Sequence, residues 1–224
     1  MSDFPRTVWS VIRGAGSGRV TAVGRFVAAY RPAVVRFLRR RGVEAALAED
    51  LAQEVFLRVF EDRVLEKADA ARGRFRSLLL AVTRHVLSHH LERAHALKRG
   101  GAHRIAPLDD AALEQAFARD DEDPDFDREW LGALIAQALE RLRLENESYH
   151  ACIAAFLVEE RSHAEIAARL GKTEGSVRNA VSRGRARLGA IVRELIAGTT
   201  SSEGELTDEV RRFARLLAKS PGTL

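Results

Sequence analysis

Apolar positions along the chain recur at spacings of three and four, and no stretch sustains the alternation of a strand, so the pattern predicts an all-α protein. Helices are expected from about Thr21 to Arg41, from Glu44 to about Glu66 and from about Arg74 to Lys98, with Gly42 and Gly73 in the breaks. Ahead of them, Gly14 to Gly18 follows a short amphipathic segment around Trp9 and Ile12; with no strand before it, this run reads as a helix-breaking connector rather than a phosphate loop. A second helical set runs from about Arg128 to Ala197. Between the sets, Pro107, Pro124 and the acidic run Asp120 to Asp123 predict a tethering linker with one short helix near Ala111 to Ala118. After Ala197, Gly198 to Ser202 reads as a flexible joint, and Leu206, Val210, Phe213 and Leu217 mark a last helix over Glu205 to Lys219.

Local signals agree most closely between Ser162 and Leu195. Ser162 followed by Glu165 is a capping box that opens a helix carrying Ile166, Ala167 and Leu170. Gly171 stands where a left-handed C-terminal cap is expected, and Thr173 starts the next helix after a very short turn. Two helices joined so tightly form a helix-turn-helix. On the second, Val177, Val181, Gly184, Leu188, Val192 and Leu195 fall on one stripe, and the opposite face presents Ser176, Asn179, Ser182 and Arg183. Such a rod suits a DNA major groove, where Arg pairs bidentately with guanine and Asn with adenine. Asn179, Ser182 and Arg183 are the candidate base readers, with Ser176 short enough for close approach; Lys172, Arg178, Arg185 and Arg187 are candidates for phosphates. A solvated Arg-rich helix is the bland alternative.

Charge sharpens this picture. The 224 residues carry a formal +4, but residues 1–100 hold +9 and residues 101–130 hold −7. Residues 71–104 contain eight Lys/Arg against Glu92 alone, and residues 169–193 contain seven against Glu174 alone. Two basic stretches around an acidic middle suit two contacts with one polyanion, since each cation set on a phosphate releases counterions. With 46% hydrophobic and 30% charged residues, the chain has material for real cores. The longest apolar run, Ala151 to Val158, is less than half of the ~20 residues a membrane span requires. With no signal-peptide block and a single cysteine, Cys152, the expected setting is the reducing cytoplasm, with no membrane insertion.

The helix around Asp50-Leu51-Ala52-Gln53-Glu54-Val55-Phe56 turns Leu51, Val55, Val59 and partly Phe56 inward and leaves Asp50, Gln53, Glu54 and Arg58 outward. Together with the basic helix-turn-helix downstream, it resembles the bacterial RNA polymerase sigma factors of the sigma-70 family, in their extracytoplasmic function group. The downstream half of the resemblance lies in Ser162 to Ala167, Gly171, Glu174 to Asn179 and Arg183 to Leu188. Thr7 to Ser10, Leu38 to Gly42, Phe75 to Leu79, Ala96 to Gly101 and Phe126 to Trp130 are similar to a planctomycete and myxobacterial subgroup. The resemblance implies two small helical domains: a sigma region 2-like bundle over 1–101 and a region 4-like helix-turn-helix domain over 128–197. An acidic linker, 102–127, joins them, and a C-terminal extension, 198–224, follows.

In the family the first domain docks on the clamp helices of the polymerase core, which assigns Asp50, Gln53, Glu54 and Arg58 to that contact. The family's minus-ten reader corresponds to Arg72 through Arg93, which offers Arg72, Arg74, Arg76, Arg84, His85, His89 and Arg93 as a track for unpaired DNA. Leu78, His85 and His89 stand where many members have Trp, Asn and Asp, so the minus-ten preference does not transfer. Phe75 fits a core aromatic better than a base-stacking one. The minus-thirty-five duplex falls to Lys172, Ser176, Arg178, Asn179, Ser182, Arg183, Arg185 and Arg187. The acidic linker is expected to thread a basic channel of the polymerase. An anti-sigma factor or a Ser/Thr kinase acting on Thr199 to Ser202 are candidate further partners, with a plain tether the simpler reading of that segment.

His85 and His89 have metal-ligand spacing but no evident third ligand, so no metal and no cofactor are expected. No nucleophile and base set, phosphate loop or paired-carboxylate pocket is visible, so no catalysis is expected. The expected function is promoter-directed transcription initiation with polymerase core and promoter DNA as partners. The competing reading is a helix-turn-helix regulator that is not a polymerase subunit, which leaves Asp50, Gln53 and Glu54 without a task.

Overall fold

A computed structural model of the chain describes residues 17–61, 75–98, 123–200 and 202–219, and among these residues it is helical with no strand. The helices are α1 (Ser17–Arg40), α2 (Ala45–Glu61), α3 (Phe75–Lys98), α4 (Pro124–Glu145), α5 (Glu147–Leu157), α6 (His163–Leu170), α7 (Glu174–Ala197) and α8 (Glu203–Lys219). None of the described helices is long and apolar enough to cross a membrane. The expected segment around Trp9, the run Gly14 to Gly16, the helix near Ala111 and the acids Asp120 to Glu122 lie outside the described residues; Ser17 and Gly18, expected in a connector, open α1 instead.

Capping chemistry sets the boundaries. Gly42 adopts a left-handed φ of +85°, and the Val43 N–H donates back to the Leu38 carbonyl at 3.2 Å, which stops α1 with the geometry glycine favours. The Glu44 carboxylate then accepts the Ala46 and Leu47 N–H groups at 3.0 and 3.3 Å and starts α2; the hydrogen bond from Ala46 leads in holding its carboxyl below the usual carboxylate range. Asn146 accepts the Tyr149 N–H at 2.9 Å, so α5 begins directly after α4.

The chain divides into two compact units. One comprises the described residues up to Trp130 with 198–205, and the other comprises Leu131–Ala197 with 206–219. In the first, α1 packs on α2 and α2 on α3. Its core is built around Phe26, whose ring meets Tyr30 and Phe75 at centroid distances of 4.5 and 4.6 Å. Leu51, Val55, Phe56 and Val59 are all buried, as their spacing on α2 predicts, and Phe75 is a core aromatic. In the second, α7 packs on α5 and α6 around Ile153, Ile166, Val177, Val181 and Ile191. A Cβ at Gly184 would lie 2.7 Å from Ile153 Cγ1, so this approach of α7 to α5 requires a residue without one.

The start of α4 corrects the expected linker. Pro124 to Asp127 are helical, and the Asp123 carboxylate caps the helix by accepting the Asp125 and Phe126 N–H groups at 3.1 and 3.3 Å. Trp130 stacks on Tyr30 with centroids 4.1 Å apart, and Phe126 meets Phe37 edge-on at 5.3 Å. Arginines of α1 and α3 pair with the acids between these rings. Arg41 and Arg84 donate to Asp123 at 2.6 and 3.0 Å, and Arg36 and Arg40 donate to Glu129 at 2.6 and 2.8 Å. Arg76, 1% exposed, donates to Asp127 at 2.5 Å. The joint after α7 also differs from expectation: Thr199 and Thr200 are buried, which leaves Ser202 as the exposed hydroxyl of that run among the described residues.

Arg76 and Asp127 form a buried ion pair, and removing one member of such a pair is far costlier than replacing both. Asp127→Ala is therefore expected to destabilise the first unit by about 3–5 kcal/mol, whereas Arg76→Met combined with Asp127→Leu recovers most of the loss; urea unfolding of the three proteins measures both effects.

Candidate nucleic-acid interface

The helix-turn-helix is fixed by three caps. The Ser162 hydroxyl accepts the Glu165 N–H at 3.3 Å while the Glu165 carboxylate accepts the Ser162 N–H at 2.8 Å, and that bond from the Ser162 N–H, followed by one from its hydroxyl, holds the Glu165 carboxyl below its usual range. Gly171 closes α6 with a φ of +62°, and the Lys172 N–H returns to the Ala167 carbonyl at 3.0 Å. Thr173 accepts the Ser176 N–H at 3.2 Å and starts α7. Val177, Ala180, Val181, Gly184 and Ile191 are buried, and Leu188, Val192 and Leu195 are partly so, which fixes the rotation of α7 about its own axis.

That rotation turns Ser176, Asn179, Ser182 and Arg183 outward, and all four are exposed. Among the described residues the side chains of Asn179, Ser182 and Arg183 make no hydrogen bond or ion pair, so their donors and acceptors are open to an external partner. The flanking cations differ in availability. Lys172 donates to Ser148 at 2.5 Å, and Arg178 pairs with Glu174 at 2.9 Å in an exposed i,i+4 bridge of little strength. The Arg185 guanidinium sits 5.3 Å over the Phe156 ring, which is itself stacked on His163.

Arg187 is the most extensively paired of these cations. It donates to both oxygens of Glu145 at 2.6 and 2.8 Å and to Glu194 at 3.1 Å, and Arg141 completes the cluster by reaching Glu145 at 2.9 Å and Glu194 at 2.5 Å. Hydrogen bonds from Arg187, the leading cause, hold the Glu145 carboxyl low, and those it gives to Glu145 and Glu194 raise the guanidinium. Arg187 thus links α7 to α4 through exposed pairs, with its side chain still 36% exposed.

In the first unit, α2 presents Asp50 and Gln53 on its exposed side. Glu54 and Arg58, half-buried, are bonded to each other, with both Nε and Nη2 of Arg58 on Glu54 Oε1 at 3.1 and 2.7 Å. On α3 the expected cationic track is thinned. Arg72 and Arg74 lie outside the described residues. Arg76 is removed from the track altogether, because it is buried against Asp127. Arg84 is partly exposed with Asp123 as its partner, and Arg93 is partly exposed. Asp123, expected to thread a channel, is instead buried beneath Arg41 and Arg84, so that expectation narrows to Asp120 to Glu122.

The His85 and His89 rings are 4.3 Å apart, and His85 Nε2 is buried with no hydrogen-bond partner. Burial above all, then the nearby His89 and Arg58, push the His85 imidazole down to about 4. A neutral ring at neutral pH offers no charge to a phosphate. No group of three or more metal-ligating side chains occurs among the described residues.

Residues 26–96 match the family Sigma-70 region 2, and residues 133–188 match Sigma-70, region 4. Together the two regions span more than half of the chain, in the order of the geometry above. The chain belongs to the sigma-70 family. No curated protein matches it. Region 2 covers α2 and most of α3, and region 4 covers the helix-turn-helix and its supporting α5, so these sigma regions give the chain a role in promoter recognition and transcription initiation. Neither matched region is a catalytic family.

The pairing of acids and arginines at the start of α4 is not assigned by the sequence reading, which names Arg76, Arg84 and Asp123 only for other roles. Its signal was present as complementary charge, with Arg36, Arg40 and Arg41 near the end of one helix and Asp123, Asp125, Asp127 and Glu129 at alternate positions of another.

The His85 environment sets a pH window. Between the ordinary histidine value of 6.5 and about 4, the unfolded chain binds a proton at His85 that the folded chain does not, so folded-state stability falls as pH falls across that window. His85→Leu is expected to flatten that part of the stability curve relative to the native sequence, with Glu54, Glu92, Arg58 and His89 unchanged; urea titrations at pH 6.5, 5.5 and 4.5 measure it.

Proposed function

We propose that the chain joins RNA polymerase core through the outward edge of α2 and directs it to promoters by setting α7 in the major groove of the minus-thirty-five element. The single observation that carries this reading is the row of open polar groups on α7, held by three caps on the face opposite its buried stripe. Asn179, Ser182 and Arg183 read bases with Ser176 at close approach, and Lys172, Arg178 and Arg185 meet phosphates. Arg187 orients the rod from behind through Glu145. At the core contact, Asp50 and Gln53 are the open groups, and the Glu54–Arg58 pair forms a preset edge beside them.

For the minus-ten strand, Arg84, His89 and Arg93 on α3 remain the accessible candidates, with His85 as a neutral surface beside them; Arg72 and Arg74, outside the described residues, belong to this reading on the resemblance alone. The extracytoplasmic function group and its planctomycete and myxobacterial subgroup belong to this reading, which rests for them on the motifs of α2, α6 and α7. So does action in the cytoplasm, where core polymerase works, under control of an anti-sigma factor.

Reconstitution with core polymerase tests the reading. Asn179→Ala with Arg183→Ala is expected to lower promoter-specific transcription by about tenfold or more while co-elution with core is retained. Asp50→Ala with Gln53→Ala is expected to weaken co-elution while binding to duplex promoter DNA persists. A native chain that binds duplex but never co-elutes with core overturns the initiation-factor reading in favour of a free-standing regulator.

A further inference from the structure

In the first unit, arginines around the end of α1 outnumber the acids that hold them. The buried Glu129 carboxylate receives the Nε donors of Arg36 and Arg40, one on each oxygen, at 2.6 and 2.8 Å. The buried Asp123 carboxylate receives Arg41 and Arg84 on a single oxygen at 2.6 and 3.0 Å. Asp125 lies 3.6 Å from Arg40 and 3.5 Å from Arg128, and its own N–H donates to Asp123 at 3.1 Å, which joins the two groups. Guanidiniums that share an acceptor are neighbours. Five arginines therefore form one continuous seam over the end of α1, Arg84 of α3 and the start of α4, against the three acids Asp123, Asp125 and Glu129.

The seam keeps donors for an outside partner. Arg36, Arg40 and Arg41 each turn only part of a five-donor fork inward, and their side chains are 44 to 47% exposed. The paired carboxylates orient these forks without cancelling the excess of positive charge. What surrounds them narrows the partner. The exposed large hydrophobic side chains of this unit, among the described residues, are Leu57 on α2 and Leu91, two turns beyond Arg84 on α3, so the seam lacks the apolar centre of a protein interface. The rings beneath it, Tyr30, Phe37, Phe126 and Trp130, are buried and offer no platform to an unstacked base. A duplex keeps its bases stacked on one another and presents phosphates alone, which guanidinium forks match.

We propose that this seam is a sequence-independent binding surface for the phosphate backbone of duplex DNA. Arg36, Arg40, Arg41 and Arg84 meet phosphates, and Glu129 and Asp123 hold the guanidiniums in place from behind. Because Arg84 is also a minus-ten candidate, the seam carries that surface onto duplex flanking the opened strand; this placement rests on the promoter reading proposed above.

The test uses the full chain and a promoter-free duplex of about 30 base pairs, titrated between about 50 and 200 mM salt. Arg36→Gln with Arg41→Gln leaves neither carboxylate unpaired, since Glu129 keeps Arg40 and Asp123 keeps Arg84. This variant is expected to keep the native unfolding temperature, to bind about tenfold more weakly and to lose about 2 from the slope of log affinity against log salt. An unchanged slope overturns the proposal. Glu129→Gln, which keeps an acceptor and removes a charge, is expected to tighten binding several-fold; failure to tighten with the unfolding temperature retained means that the seam is only an internal brace, and overturns it. In a chain carrying Asn179→Ala and Arg183→Ala, the Arg36 and Arg41 effect is expected to persist, and its disappearance assigns it to α7 and overturns the seam. Oligothymidylate and polyglutamate of similar charge are expected to bind more weakly than duplex; tighter binding of either that depends on Arg36 and Arg41 overturns the assignment in favour of a single strand or an acidic protein. A native chain that binds duplex through the seam but never co-elutes with core polymerase counts against the initiation-factor reading and leaves the seam standing.

Discussion

The carboxylates at the start of α4 pair with five arginines of the first unit, and one of those pairs, Asp127 with Arg76, takes its guanidinium out of solvent. A guanidinium buried against its carboxylate, as Arg76 is, cannot release a counterion from a nucleic acid, whereas the exposed guanidiniums of Arg36, Arg40, Arg41 and Arg84 are held only by solvent-screened pairs. Arg36, Arg40, Arg41, Arg76 and Arg84 all have a partner among Asp123, Asp127 and Glu129. The same acids place the Phe126 and Trp130 rings on Phe37 and Tyr30, so electrostatics and aromatic packing settle one helix end together. In the second unit, the Arg141, Arg187, Glu145 and Glu194 cluster plays the corresponding part for α7.

What could be read from the sequence was local or periodic. The capping box at Ser162, the left-handed Gly171 and the cap at Thr173 each depend on residues within four positions, and the structure has all three. The inward set on α2 and the stripe on α7 follow from helical period alone. Charge partners separated by many residues were not legible in this way. Arg76 reads as an exposed cation until Asp127, 51 residues away, is placed beside it, and Arg187 shows its partner only once Glu145, 42 residues away, is placed. The start of α4 was lost to the linker for the same reason, because an acidic Pro-containing run looks solvated until its counter-charges are in view.

The glycines of α7 divide along a similar line. Gly184 fell on the predicted buried stripe, and its necessity is steric, visible once Ile153 is positioned. Gly189 carries no periodic signal, and nothing lies within 4 Å of a Cβ built there. Helix propensity treats the two alike, whereas tertiary packing constrains Gly184 and not Gly189.

Pairs that are sealed from solvent and cations that face it respond differently to electrolyte. At about 0.15 M ionic strength, screening acts over about 8 Å of water and reaches exposed groups such as Arg183 far more than a guanidinium 1% exposed, such as Arg76. Contacts that exposed cations make with a polyanion are therefore the salt-sensitive ones, while the buried pair inside the first unit is shielded from the same screening.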